Sequence, residues 1–171
     1  MGILDGKVAI VTGAGKGIGR AESLALAKEG AGVVLVGRNK ADVVNVAGEI
    51  ESLGGRALPI DCDVSQRDQV DRALAAAVEA FGPIDILVNN AQAIPQRKPL
   101  QEWSEDDMNL MWASGPMGTW ALHGGLFASY EESRWQDHQY LFRLWTRLSG
   151  RICRLCSRQG SNPLADAHCG A

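Results

Sequence analysis

The 171-residue sequence has no hydrophobic run long enough to cross a membrane, and residues 1–6 do not form a signal peptide. Its formal net charge of −3 supplies no basic field for a nucleic acid. The four cysteines come without secretory features, as is typical of reduced thiols. We therefore expect a cytoplasmic protein without a nucleic-acid or membrane partner, and one long enough to bury a core.

Lysine is missing from the last part of the chain, since none follows Lys98. All three histidines and three of the four cysteines instead come after Leu122. This change in composition divides the sequence into residues 1–122 and residues 123–171.

The first of these parts contains a glycine-rich segment. Residues 7–20, KVAIVTGAGKGIGR, begin with an apolar run that predicts a strand buried on both faces. The pattern T-G-x3-G-x-G then extends from Thr12 to Gly19, and a helix is expected to begin near Gly17. Glycines at this spacing allow a tight turn, a close approach of a pyrophosphate and close helix packing. An ordinary turn is the alternative, but a following strand at residues 33–36 favours a nucleotide site.

Strands and helices alternate through the first part, which predicts an α/β fold with a doubly wound parallel sheet. Ser65 is expected to cap the third helix and Ser104 a later helix that begins near Glu105. Pro116 should kink or interrupt that later helix. The remaining strands are predicted at residues 57–60 and 84–88, and the helices at residues 18–29, 41–53 and 67–81.

Three motifs give the chain a family resemblance. The glycine pattern, Asp63-Val64 and Asn89-Asn90-Ala91 occur in order and at separations that resemble the short-chain dehydrogenase/reductase family. The resemblance covers about the first two-thirds of the chain. It implies a Rossmann domain that binds NAD(H) or NADP(H) and transfers hydride between the nicotinamide and a secondary alcohol or ketone. Members of this family are commonly homo-oligomers.

The resemblance also implies roles for individual residues. One group would cradle the pyrophosphate, a second pair would flank the adenine, and a third pair would lie along the nicotinamide ribose. Asp63 could instead be a helix-capping acid. The matching positions, in that order, are Gly13, Gly17, Ile18 and Gly19, then Asp63 and Val64, then Asn90 and Ala91.

The choice between NADP and NAD depends on the end of the second strand. An acid there would accept a hydrogen bond from the ribose 2′-OH and repel a 2′-phosphate. This chain has Gly37 followed by Arg38, whose guanidinium suits a phosphate, and Lys16 adds a second cation. We expect NADP to be preferred over NAD, although both side chains could be ordinary solvated charges.

Two positions depart from the family pattern. Gln92 replaces the glycine that follows Asn-Asn-Ala, and Gly115 replaces an asparagine that supports a proton-relay water in the family. The resemblance therefore does not extend to the relay asparagine.

The family's catalytic Ser and Tyr-x3-Lys have no counterpart here. Tyr130 and Tyr140 are followed four positions later by Arg134 and Leu144. No catalytic residue is therefore assigned. We expect a sheet truncated after about four strands, an irregular C-terminal tail, no family dimer interface and no activity. The alternative function is a non-catalytic dinucleotide-binding remnant.

Residues 123–171 suggest translation in a shifted reading frame. Codons can be chosen for residues 153–162 that, one base later, encode Tyr-x3-Lys, with the Tyr beginning inside the codon of Leu155. A serine at the separation that the family requires can also be encoded. A rival interpretation is a zinc site formed by Cys153, Cys156 and His168-Cys169. We favour the frameshift and expect no metal site.

Overall fold

The computed structural model describes residues 2–95 and 98–129. Its four strands form one parallel sheet in the order β3-β2-β1-β4. The chain therefore builds the sheet outward from β1 on one side and then crosses to its other side. This confirms the predicted doubly wound Rossmann architecture. The strands are β1 (Val8–Thr12), β2 (Gly32–Gly37), β3 (Arg56–Asp61) and β4 (Ile86–Val88).

Within the described residues, five α-helices connect or follow these strands. A π-helical segment at Ala113–Met117 joins the last two, and a short 3-10 helix at Leu100–Glu102 precedes them. The predicted helices are confirmed to within about one residue at their ends, and the third agrees at both ends. The helices are α1 (Gly17–Lys28), α2 (Lys40–Ser52), α3 (Arg67–Phe81), α4 (Glu105–Trp112) and α5 (Gly118–Ser129).

A hydrophobic cluster lies between the sheet and the helices α3 and α5, and α1 and α2 also bury apolar residues, namely Leu26, Val43, Val46, Ala47 and Ile50. Every residue of β1 is buried, as the continuous apolar run predicts for a strand covered on both faces. Val70 and Leu74 of α3 and Leu122 and Leu126 of α5 join the same cluster. The predicted division at residue 122 thus falls inside a packed helix. The part of the tail from residue 130 onward lies outside the described residues.

Two local predictions were wrong. Ser65 does not cap α3, whose N-cap is Gln66 without a side-chain cap bond. Ser65 instead donates from its hydroxyl and its N–H to Asp63 Oδ1, at 2.8 and 3.0 Å. β4 begins at Ile86 rather than at residue 84. The preceding Asp85 is hydrogen-bonded to β1 instead. Its N–H donates to the carbonyl of Val8, and its Oδ2 accepts from the Val8 N–H.

The predicted cap of α4 is confirmed. Ser104 Oγ accepts from the Asp107 N–H at 3.3 Å, and Asp107 Oδ2 accepts from the Ser104 N–H at 2.8 Å, which completes a capping box. Lys98 Nζ lies 2.5 Å from the same carboxylate. The Lys98 ammonium, together with the Ser104 donors, lowers the pKa of Asp107 to about 2.

Pro116 interrupts the last helical stretch as expected. It lies inside the π-helical segment that separates α4 from α5. Proline has no N–H and its ring crowds the preceding turn, so an extra residue in the turn accommodates it.

Candidate functional site

A cleft of about 310 Å³ lies at the carboxyl ends of the strands. This is where ligands bind in open α/β sheets, at the point where the strand order reverses. The cleft gathers residues from all three sequence motifs. Gly17, Ile18 and Gly19 continue from the glycine loop into the first turn of α1. The predicted site residues that line the cleft are Gly13, Lys16, Arg38, Asp63, Val64, Asn90 and Ala91.

Thr12 joins the two strands that flank the crossing point. Its side chain is buried, and its hydroxyl donates to the Val88 carbonyl at 3.3 Å. The same oxygen accepts from the N–H groups of Asn90 and Ala91, each at 3.0 Å. One hydroxyl therefore sets the path of the backbone after β4 relative to the glycine loop.

Asn90 supports the glycine loop from the β4 side. Its Nδ2 donates to the carbonyls of Thr12 and Gly13, at 3.0 and 3.3 Å. The side chain is half-buried between β1 and the loop. Its observed contacts are thus with the loop, and a contact with the nicotinamide ribose remains a prediction.

The N-terminus of α1 approaches the loop closely because Gly19 has no side chain. A Cβ there would lie 2.3 Å from the Gly13 carbonyl oxygen and 2.6 Å from Asn90 Nδ2. Gly17 has a φ of +57°, and its missing Cβ would face open space. No side chain caps α1 at Lys16, and its first turn carries no acid. Its amides and positive dipole end suit an anion such as a pyrophosphate.

Charges of both signs surround the β2 end of the cleft. Lys16 and Arg38 are exposed, and neither forms an ion pair within the part of the chain that the structure describes. Asp42, in the first turn of α2, also lines the cleft. A 2′-phosphate would find two free cations and one carboxylate there.

Asp63 occupies a fixed position beyond β3. Its Oδ1 accepts both bonds from Ser65, and its N–H donates to Gln69 Oε1 at 2.9 Å. This is a turn stabilised by an aspartate side chain, rather than a direct cap of α3. The adjacent Val64 is buried and gives the cleft an apolar surface.

Cys62 also lines the cleft but is not an effective nucleophile. Burial, and to a lesser degree the charges of Asp63 and Asp61, raises the pKa of its thiol to about 11. The thiol therefore stays protonated near neutral pH, whereas nucleophilic cysteines react as thiolates.

Sequence reasoning missed Gly15 and Ser114. A Cβ on Gly15 would lie 2.6 Å from the Asp42 Cβ, so this glycine lets α2 approach the loop. The alternating glycines at residues 13, 15 and 17 were the available signal. Ser114 Oγ donates to the Leu110 carbonyl at 2.9 Å and accepts from the Ala93 N–H at 2.8 Å. No sequence pattern marks that bond, because it joins separate segments.

Within residues 2–95 and 98–129, the structure supports neither a metal site nor a membrane span. No group of three or more His, Cys, Asp or Glu there could hold a metal ion. None of the helices in that part of the chain is both long and apolar enough to cross a membrane. The cysteines and histidine of the rival zinc site, as well as Tyr130 and Tyr140, lie outside the described residues.

Comparisons with known proteins agree with this geometry. A 12alpha-hydroxysteroid dehydrogenase from a Clostridium species is 39% identical over 137 residues, which is 76% of this chain and 49% of that protein. A 3-ketoacyl-(acyl-carrier-protein) reductase from Brucella melitensis, solved with NADH, matches with a TM-score of 0.67 and 37% identity, over 72% of this chain and 50% of that one. A short chain dehydrogenase from Burkholderia cenocepacia, solved with NADP, matches with a TM-score of 0.69 and 33% identity, over 73% of this chain and 51% of that one.

This chain thus spans about half the length of the relatives that it matches. The model of the short chain dehydrogenase family matches residues 7–132. The matched region includes the glycine loop, both other motifs and every strand of the described sheet. The chain therefore belongs to the short-chain dehydrogenase family.

Proposed function

We propose that this chain binds a nicotinamide dinucleotide across the cleft, with NADP(H) preferred over NAD(H). The observation that carries the proposal is the uncapped N-terminus of α1 behind a glycine loop at the crossing point of the sheet. The space that a Cβ of Gly17 would fill is open, so a pyrophosphate fits against the helix amides. Relatives solved with NADH and with NADP support the cofactor class.

The fold suggests how the cofactor would lie. In a doubly wound sheet the adenosine half lies on the β2 side, and the other half crosses β1. Arg38, Asp63 and Val64 would then contact the adenosine half. Gly13, Gly17, Ile18 and Gly19 would hold the pyrophosphate, and Asn90 and Ala91 would lie along the second ribose.

The preference for NADP rests on Arg38 and Lys16. Both are exposed cations without an ion-pair partner in the described residues, so either can accept a phosphate without breaking an existing contact. Asp42 opposes this preference, because a carboxylate at this end repels a phosphate and can accept from a 2′-OH. Two cations against one carboxylate leave the balance in favour of NADP(H).

The bound nicotinamide would supply a hydride acceptor or donor, as in an oxidoreductase that acts on a small alcohol or ketone. We propose that the chain as it stands binds the cofactor without turnover. Lys98 is the last lysine, and neither Tyr130 nor Tyr140 has a lysine four positions on. A protein without that pair has no side chain in the family position to donate the proton. We assign oligomerisation and the alcohol or ketone substrate to the longer protein that the unshifted reading frame would encode.

The cofactor proposal is tested by titrating the purified chain with NADPH and with NADH and following nicotinamide fluorescence. We expect tighter binding of NADPH, and expect Arg38→Ala to weaken it about tenfold, the equivalent of about 1.4 kcal/mol, with less effect on NADH. Arg56→Ala, at the start of β3 and away from the cleft, controls for the loss of one positive charge. Absence of binding, or equal affinities that Arg38→Ala leaves unchanged, would contradict the proposal.

The inactive state and its origin have separate tests. Oxidation of NADPH by this chain with any of a panel of ketones would contradict inactivity. The proposal that residues 123–171 are translated out of frame is tested by the gene. The codons of residues 155–159, read one base later, should encode Tyr-x3-Lys, and any other reading contradicts it. Stoichiometric zinc in the purified chain would favour the rival metal site.

A further inference from the structure

The two positions that depart from the family pattern meet in space. A Cβ on Gly115 would lie 3.6 Å from Gln92 Nε2, 3.7 Å from its Cδ and 3.8 Å from its Cγ. The carboxamide of Gln92 thus lies over a position of the π-helical segment that carries no side chain. Both Gln92 and the neighbouring Ser114 line the cleft.

The backbone on both sides of Gln92 is fixed. The preceding Ala91 donates its N–H to Thr12 Oγ1 at 3.0 Å, and the following Ala93 donates its N–H to Ser114 Oγ at 2.8 Å. Ser114 donates its own proton to the Leu110 carbonyl, so this hydroxyl has no proton left for a ligand. These contacts fix where the side chain of Gln92 starts.

The carboxamide itself remains available. Gln92 is exposed, and within residues 2–95 and 98–129 its side chain has no hydrogen-bond partner. A primary amide offers two donors and an acceptor without a net charge. The nicotinamide half of a dinucleotide carries an amide and ribose hydroxyls, which are neutral groups of matching character.

The topology indicates which half of the cofactor Gln92 would meet. It follows β4, whereas Arg38 follows β2, and β1 lies between those two strands. A dinucleotide that crosses β1 with its adenosine on the β2 side brings its other half to the β4 side.

We propose that Gln92 binds the nicotinamide half of the cofactor and that Gly115 leaves the space in which its side chain lies. The carboxamide on this side of the cleft then comes from the loop after β4 rather than from the helix. This assignment rests on the proposed dinucleotide function. It makes Gln92 and Gly115 a matched pair, so that a change at one should be compensated at the other.

Two ligands separate the halves of the cleft in calorimetric titrations of the full chain. NADP⁺ contains both halves, whereas 2′-phospho-ADP lacks both the second ribose and the nicotinamide. We expect Gln92→Ala to weaken NADP⁺ about fivefold, from the loss of about 1 kcal/mol of hydrogen bonding, and to leave 2′-phospho-ADP unchanged. Gln101→Ala is the matched control, because Gln101 is an exposed glutamine of the 3-10 helix and does not line the cleft.

The outcomes distinguish this proposal from the function on which it rests. If the unaltered chain binds neither ligand, the dinucleotide function is wrong. If it binds both, and Gln92→Ala weakens both equally or neither, the role of Gln92 is wrong while the function stands.

The pairing of the two positions is tested by moving the carboxamide. Gln92→Gly should weaken NADP⁺ as Gln92→Ala does, and Gln92→Gly combined with Gly115→Asn should recover most of the lost affinity. A combined variant as weak as Gln92→Gly alone would contradict the pairing. Circular dichroism of each variant verifies that the fold is retained.

Discussion

The two sides of β1 are built differently. On one side, β1 pairs with β2 through five residue pairs, and the first five residues of β2 are buried. On the other side, β1 pairs with β4 through three residue pairs, and β4 is only half-buried. We call these the β2 side and the β4 side.

The two sides also differ in how far apart in the sequence their contacting residues lie. The β2 side comes from one continuous stretch, in which strand, glycine loop, helix and strand follow one another. The β4 side is held by contacts between residues far apart in sequence, such as the bond from the Asn90 N–H to Thr12 Oγ1. Its position relative to β1 therefore depends on a few hydrogen bonds, and the proposed binding of the nicotinamide half depends on them too.

The largest effect on stability and cofactor binding is expected from a substitution that affects both sides. Gly19→Ala would place a Cβ within 2.6 Å of both the Gly13 carbonyl oxygen and Asn90 Nδ2, so α1 must move away from the loop. We expect a loss of about 1–3 kcal/mol in the free energy of unfolding and loss of NADPH binding. Urea denaturation and the fluorescence titration measure these two quantities.

The matched control is Gly48→Ala, in α2, where a Cβ would meet no atom within 4 Å. It should stabilise the chain by about 0.5–1 kcal/mol, since alanine suits a helix interior better than glycine. Equal effects of the two substitutions would show that close packing at Gly19 is unimportant.

A less extensive effect, restricted to the β4 side, is expected from Thr12→Val. The substitution keeps the shape of the side chain and removes the hydroxyl that holds Val88, Asn90 and Ala91. Leaving those groups without their partner should cost about 1–3 kcal/mol. Hydrogen exchange should show faster exchange at Asn90 and Ala91 than in β2.

Thr12→Ser retains the hydroxyl and should largely preserve protection at those two amides. If Thr12→Val increased the amide exchange rates of β2 and of the β4 side equally, the two sides would not differ in the way described.

The smallest effect on stability is expected when the pH is lowered and Asp107, in the first turn of α4, is protonated. The pKa of Asp107 is lowered to about 2, whereas an unfolded aspartate titrates near 3.9. The carboxylate therefore adds stability above about pH 4, and this is lost as the pH falls toward 2. Protonation removes the Lys98 contact and weakens the capping box of α4.

Asp107→Asn should abolish that part of the pH dependence, which helical circular dichroism between about pH 5 and pH 2 can follow. Asp106→Asn, one position earlier in the same exposed turn, is the control. Identical acid transitions in the unaltered chain and Asp107→Asn would contradict the assignment.

The sequence predicted most of the β2 side correctly. Its apolar runs, glycine punctuation and helix periodicity are local patterns, so β1, α1, β2 and α3 fall close to the expected bounds. The same reasoning was wrong at Ser65, because a serine before a helix resembles a cap whether or not its hydroxyl faces the helix amides. Here the nearer carboxylate of Asp63 takes the hydroxyl instead.

By itself the sequence determined the fold class, the glycine loop, the family and the absence of a Tyr-x3-Lys pair. These follow from residue order and from the preferences of neighbouring residues. Only the tertiary structure decided that Thr12 and Ser114 hold the loop after β4, and that Gln92 lies over Gly115. Such contacts join distant residues, and their geometry exists only after the sheet and helices have packed.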